Sequence, residues 1–283
     1  MPDIVIHVVA SALYAGLALH FWSTRWRALP AVRAPASSPA AGGLSAWERA
    51  AILLPMAIHG ALLYAELFAR GELRLGFAFA LSGMLWIAVL IYWVESFFYA
   101  LDALQVPTLA FAAMTVPLPA IFPGRIAVQY AGSVEFVMHV ALGMLAYGVL
   151  VVAILHVGLM TFVERILHRP RNSSLIRLPI FPPLLTLERM LFGMIALAFI
   201  LFTFTLGMGI AFSESIYGKA FRFDHKTFFS LLTWLTLAIL LAGRYIRGWR
   251  GRTALLWVMA AFVFLMLAYV GKSFVLEVIL GRT

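Results

Sequence analysis

Residues 134–162 read VEFVMHVALGMLAYGVLVVAILHVGLMTF, a stretch whose only acidic or basic side chains are Glu135, His139 and His156. As an α-helix these residues extend about 44 Å at 1.5 Å each. That exceeds the roughly 30 Å hydrocarbon core of a bilayer, so the stretch reads as a transmembrane helix that tilts or projects. Working outward, further apolar runs fall at 4–22, 50–69, 75–93, 100–121, 188–212, 227–243 and 254–279. The expectation is an all-α fold: a polytopic transmembrane bundle of about eight helices, forming one integral membrane domain over residues 1–283. The run at 100–121 is interrupted by Asp102, Gln105, Pro107, Pro117 and Pro119, with Pro123 just beyond. It is expected to be kinked or partly re-entrant, which a membrane tolerates only where the break is buried in protein or lines a cavity.

Composition agrees. Hydrophobic residues make up 64% of the chain and charged residues 12%, where a soluble domain carries about 25% charged. The net charge of +9 is explained by where the charges fall. Arg25, Arg27, Arg33 and Arg49 share the first loop with Glu48 alone. Arg165, Arg169, Arg171 and Arg177 share the fifth with Glu164, and Arg244, Arg247, Arg250 and Arg252 occupy the seventh. All are odd-numbered loops, so the positive-inside rule puts them in the cytoplasm and both termini outside. Basic residues interleaved with exposed aromatics, the pattern for nucleic acid, are absent. The partner solvent is membrane lipid. The N-terminal MPDIVIHVVASALYAGLALHFW lacks a basic leader region and reads as a first transmembrane helix rather than a cleaved signal. Segment 28–46, rich in Pro, Ala, Ser and Gly, is expected to be a flexible cytoplasmic loop.

The chain has seven His and no Cys, which excludes disulfides, thiol exchange and thiolate metal sites and leaves imidazoles as the ligands for a metal or haem. The topology sorts them by depth. His7, His139 and His225 belong to an outer tier, His20 and His156 to an inner one, with His59 between and His168 in a basic loop. His139 and His156 lie about 25 Å apart along one helix, too far to share a metal. Glu135, four residues before His139, lies on the same face and can orient that imidazole. Against this, a lone intramembrane His more often bonds a neighbouring helix than a cofactor. Met138 and Met144 read as packing, and Trp86, Trp93, Trp234 and Trp257 as interface or core residues. From the residues alone, haem is one option among several. A metalloprotease is excluded for want of H-E-x-x-H.

Two stretches narrow the options: HVALGMLAYGVLVVAILH at 139–156 and FDHKTFFSLLTWLTLAILLAGRYIRGWRGRTALLW at 223–257. With AYVGKSFVLEVIL at 268–280, they resemble the CcsA/HemX-type cytochrome c assembly family of bacterial inner-membrane proteins, in particular its YpjD-like members. The resemblance implies a multi-pass inner-membrane protein that binds or handles haem near the outer face. By that resemblance His139 matches the first of two His flanking a Trp-rich outer segment. Here SESIYGKAFRFDHK at 213–226 stands for that segment with Tyr and Phe in place of Trp, and the second His is replaced within Leu241, Ala242, Gly243 and Arg244. The implied site is haem b on His139, with His225 as the substitute ligand, His59 and Glu135 as further cofactor-binding candidates, and Arg125, Lys219 or Arg222 on the propionates. The expected function is haem handling without full cytochrome c synthetase activity and with no catalytic residue assigned. The expected partners are haem and a membrane protein or cytochrome. Two alternatives stand beside it: a haem-free accessory subunit of another membrane protein, and a small-molecule or ion transporter.

Overall fold

The computed structural model describes residues 2–26, 43–68, 73–74, 76–123, 127–128, 133–167, 183–212 and 223–280. They form α1 (Pro2–Phe21, continued by the π turn Trp22–Trp26), α2 (Ala46–Phe68), α3 (Phe77–Glu95), α4 (Asp102–Thr115) and α5 (Leu118–Ile121). Then follow α6 (Val134–Leu167), α7 (Leu184–Ala211), α8 (His225–Arg247) and α9 (Gly251–Met266), the last carried on in helical turns to Ile279. The two-residue segments Leu73–Arg74 and Ala127–Val128 pair antiparallel. The bundle is helical where the apolar runs predict, and most of loop 28–46 lies outside the described residues.

Seven segments are long and apolar enough to cross a membrane, α4 and α5 counting as one. The remaining long helix, α2, carries the apolar run 50–67 with one charged residue, Glu66. Its neighbours show that it runs alongside α3. Trp93 Nε1 donates to the Arg49 carbonyl at 3.1 Å, Trp86 Nε1 to the Met56 carbonyl at 2.8 Å, and Ser82 Oγ lies 2.8 Å from His59 Nε2. These contacts step backward along α3 as they advance along α2. The two helices are therefore antiparallel over their length, and α2 spans whatever α3 spans. Among the described residues this gives eight crossings, with the start of α1 and the end of α9 at one end of the bundle and Arg25, Arg49 and Arg244 at the other.

The fourth crossing is broken as its prolines require. Pro107 lies inside α4 and has no N–H to bond the preceding turn. The helix stops at Thr115, and Pro117 starts the single turn of α5. Its polar start is buried rather than re-entrant: Asp102 and Gln105 sit in a network at the cytoplasmic end. Arg25 Nη2 reaches Glu48 Oε2 at 2.9 Å, Arg25 Nη1 bonds Gln105 Oε1, and Arg25 Nε lies 3.4 Å from Asp102 Oδ1. Gln105 Nε2 and the Gly43 backbone N–H complete Asp102 at 2.8 and 2.9 Å. A second tie at that end joins α7 to α8, where Arg244 Nη1 donates to Glu188 Oε1 at 2.6 Å.

Packing sets the rest. On α1 the buried residues His7, Ala10, Tyr14, Ala18 and Phe21 recur every three or four positions, one face against α2 and α4, while Ile4, Val5 and Val8 face outward. Helices α3 and α6 meet across Gly148, where an added Cβ would overlap the Ile87 side chain. Small residues allow such close approach where lipid supplies no hydrophobic drive.

Candidate functional site

A cavity of about 350 Å³ opens among the outer halves of α3, α6, α7, α8 and α9. That size is within the range of small-molecule and cofactor sites. Its walls are mainly apolar, with Phe79, Met84, Phe136, Phe202 and Met208 among them, and its polar lining includes Glu135, His139, Asp224 and Lys226. His139 projects from the second turn of α6 toward α7. A Cβ on Gly209 would stand 3.3 Å from His139 Cε1, so the glycine leaves the ring its room. Nδ1 of His139 is buried and has no hydrogen-bond partner among the described residues.

The other wall is built by a helix cap. Asp224 starts α8 with Oδ1 accepting from the Thr227 backbone N–H at 2.9 Å and from the Thr227 hydroxyl at 3.0 Å. Its Oδ2 meets Lys272 Nζ of α9 at 3.4 Å. Partial burial alone would raise the Asp224 carboxyl, but the Thr227 bonds and the Lys272 ammonium outweigh it and hold it below the usual carboxylate range. The cap thereby presents Lys226 to the cavity, its Nζ 5.6 Å from the centroid of the Tyr269 ring.

Of the residues expected at the site, His139 and Glu135 line this cavity, and His225 and His59 do not. His225 is exposed and off the cavity lining, whereas its neighbour Lys226, also exposed, borders the open cavity. His59 is buried between α1 and α3, bonded to Ser82 through Nε2, with the Tyr14 ring edge-on and 5.9 Å away. The outer tier therefore does not converge on one cavity, because His7 joins the buried face of α1 instead. In the inner tier His20 lies 3.5 Å from Glu48, and His156 Nδ1–H donates to its own helix at the Val152 carbonyl, 3.0 Å away. His59 Nδ1 and His156 Nε2 are also buried without a partner. Neither histidine lines the cavity, which sets His139 apart. No group of three or more His, Asp or Glu could hold a metal ion among the described residues.

Leu241 to Arg244 stand at the cytoplasmic end of α8, with Gly243 packed under Trp249 and Arg244 over the Phe192 ring. A second ligand for the outer cavity has no place there. Arg125, His168, Lys219, Arg222 and the segment 213–222 lie outside the described residues. Sequence reasoning missed Lys226, Tyr269, Met208 and Gly209. The available signal was the Asp224–Thr227 cap, which marks where α8 begins but not which side of it faces inward.

The profile of the cytochrome c assembly protein family matches residues 47–280. The chain belongs to that family. The match runs from α2 through α9 and so includes every wall of the cavity, leaving out only α1 and the first loop. Among individual proteins, the chain is 27% identical over 170 residues to the inner membrane protein YpjD of Escherichia coli strain K12, covering 60% of this chain and 63% of that protein. It is 31% identical over 179 residues to an uncharacterized 28.8 kDa protein of Azospirillum brasilense, covering 63% of each. Against the cytochrome c biogenesis protein CcsA of Gloeobacter violaceus it is 30% identical over 92 residues, 32% of this chain and 27% of that one. The matched part thus spans somewhat under two thirds of the length of the first two relatives. No solved structure matches the chain. The apolar helices and the inner-membrane relative agree on a multi-pass protein of the bacterial inner membrane.

Proposed function

We propose that this member of the cytochrome c assembly family binds haem in the outer cavity, with His139 as an axial ligand, and holds or passes it on without acting as a full cytochrome c synthetase. One observation carries the reading: the His139 imidazole lines an apolar cavity of cofactor size. The donor set fits the group. A neutral imidazole is a common iron ligand, the walls suit a macrocycle, and the absence of Cys excludes thioether attachment to this chain, so the haem would be held non-covalently, as haem b is.

Each wall then has a role of its own. Gly209 gives the His139 ring space, Glu135 on the same helix face is the nearby carboxylate that could orient it, and the apolar walls exclude water. When bound, haem supplies an iron centre whose potential the surrounding low-dielectric bundle tunes. His225 and His59, off the cavity lining, are not needed for this reading.

The test is the absorption spectrum of the detergent-purified protein, oxidised and dithionite-reduced, with a pyridine haemochrome assay for stoichiometry. The expected result is a Soret band, with near one haem per chain by the haemochrome assay, lost in His139→Ala. A full haem complement in His139→Ala refutes the ligand. A colourless protein from haem-supplemented cells refutes haem binding and favours the accessory-subunit alternative.

A further inference from the structure

We propose that Lys226 is the carboxylate anchor of the cavity, so that its occupant is an apolar ring system carrying acid groups on one edge. This rests on the haem reading and adds the residue that sets the ligand's orientation. Lys226 lines the cavity opposite largely apolar walls and is exposed to its open space, so an occupant that fills the cavity takes the ammonium out of water and must offer it a counter-charge. Among the described residues its ammonium makes neither an ion pair nor a hydrogen bond, and its closest recorded partner is the face of Tyr269.

The nearby carboxylates do not neutralise it. Asp224 is occupied on both oxygens, Oδ1 by Thr227 and Oδ2 by Lys272. Glu135 is the other acid of the lining, and no ion pair joins it to Lys226 among the described residues. A cation–π contact with Tyr269 attracts the ammonium without cancelling its charge. Among the described residues the site therefore holds a cation without an ion-pair partner of its own, in the same cavity as the His139 imidazole. An iron porphyrin answers both, with a metal centre for the imidazole and carboxylates at its edge for the ammonium. A charge-assisted hydrogen bond from Lys226 then selects the free acid over an esterified ring.

The experiment titrates the full-length protein, in a neutral detergent, with haemin and with haemin dimethyl ester, following the Soret shift. The wild type is expected to prefer the free acid by about tenfold or more, the scale of a hydrogen bond to a charged group. Lys226→Met is expected to lose that preference and Lys226→Arg to keep most of it. Equal wild-type affinity for the two porphyrins overturns the anchor while leaving haem binding intact. Failure of both to bind overturns the anchor together with the haem reading. Should Lys226→Met not fold, Lys226→Gln takes its place in the same comparison of acid with ester.

Discussion

Replacing Arg25 with Met tests whether the cytochrome c assembly fold is tied at its cytoplasmic end by a buried ion network. The Arg25 side chain is 16% exposed, and those of Glu48 and Asp102 are 8% and 3% exposed. Removing Arg25 leaves both carboxylates with depleted partners, although Ser45 still donates to Glu48, which also has His20 at 3.5 Å, and Gln105 and Gly43 still donate to Asp102. Breaking a buried pair from one side destabilises by about 3–5 kcal/mol, and the surviving donors favour the lower end. At roughly 2–4 °C per kcal/mol for a chain of about this size, the melting temperature should fall by about 6–12 °C. Thermal unfolding in detergent, followed by tryptophan fluorescence, reads this directly. Arg25→Lys should fall between, since an ammonium cannot reproduce the forked contacts to Glu48, Gln105 and Asp102. The triple variant Arg25→Met, Glu48→Gln, Asp102→Asn should recover more than half of the loss, because the uncompensated charges are gone. An unchanged melting temperature in Arg25→Met, or a triple variant no better than the single one, would refute the reasoning. Porphyrin affinity below the melting transition should not change, since the cavity is at the other end of the bundle.

Two glycines of α6 offer a contrast: Gly148→Ala forces a Cβ into Ile87 and should destabilise by about 1–3 kcal/mol through overpacking. Gly158→Ala meets nothing within 4 Å and should be neutral or stabilising by about 0.5–1 kcal/mol through helix propensity, with both read as melting temperatures. At the cap of α8, Asp224→Ala should cost about 1 kcal/mol. Because the folded state holds that carboxyl low, its contribution is complete above the ordinary aspartate value of about 3.9 and disappears as pH falls through the lower folded value. Acid unfolding curves of wild type and Asp224→Ala should therefore converge at the acid end. Curves that stay equally separated below pH 3 would count against the cap.

The crossings were legible in the chain, including the break in the fourth. Pro117 and Pro119 end α4 wherever it packs, since a missing N–H is a local defect. The depth of His139 was legible as well, since it follows from counting residues along α6. Which histidines meet was not. His225 and Lys226 are neighbours in the chain but point about 100° apart around a helix. The one that borders the cavity is chosen by how α8 lies against α7 and α9, which no local pattern records. His59 read as a cofactor candidate because its Ser82 partner belongs to another helix, and His20 because its Glu48 partner does.

Membrane residence, sidedness and the positions of the helices are thus properties of the chain read alone. Transfer into lipid is close to a sum over consecutive residues, and loop charge acts near each crossing. The cavity and the places of Lys226 and His139 on its lining exist only in the assembled bundle. Each depends on which side chains from distant helices fill, or fail to fill, the space beside it, and packing of that kind is not a sum over the sequence.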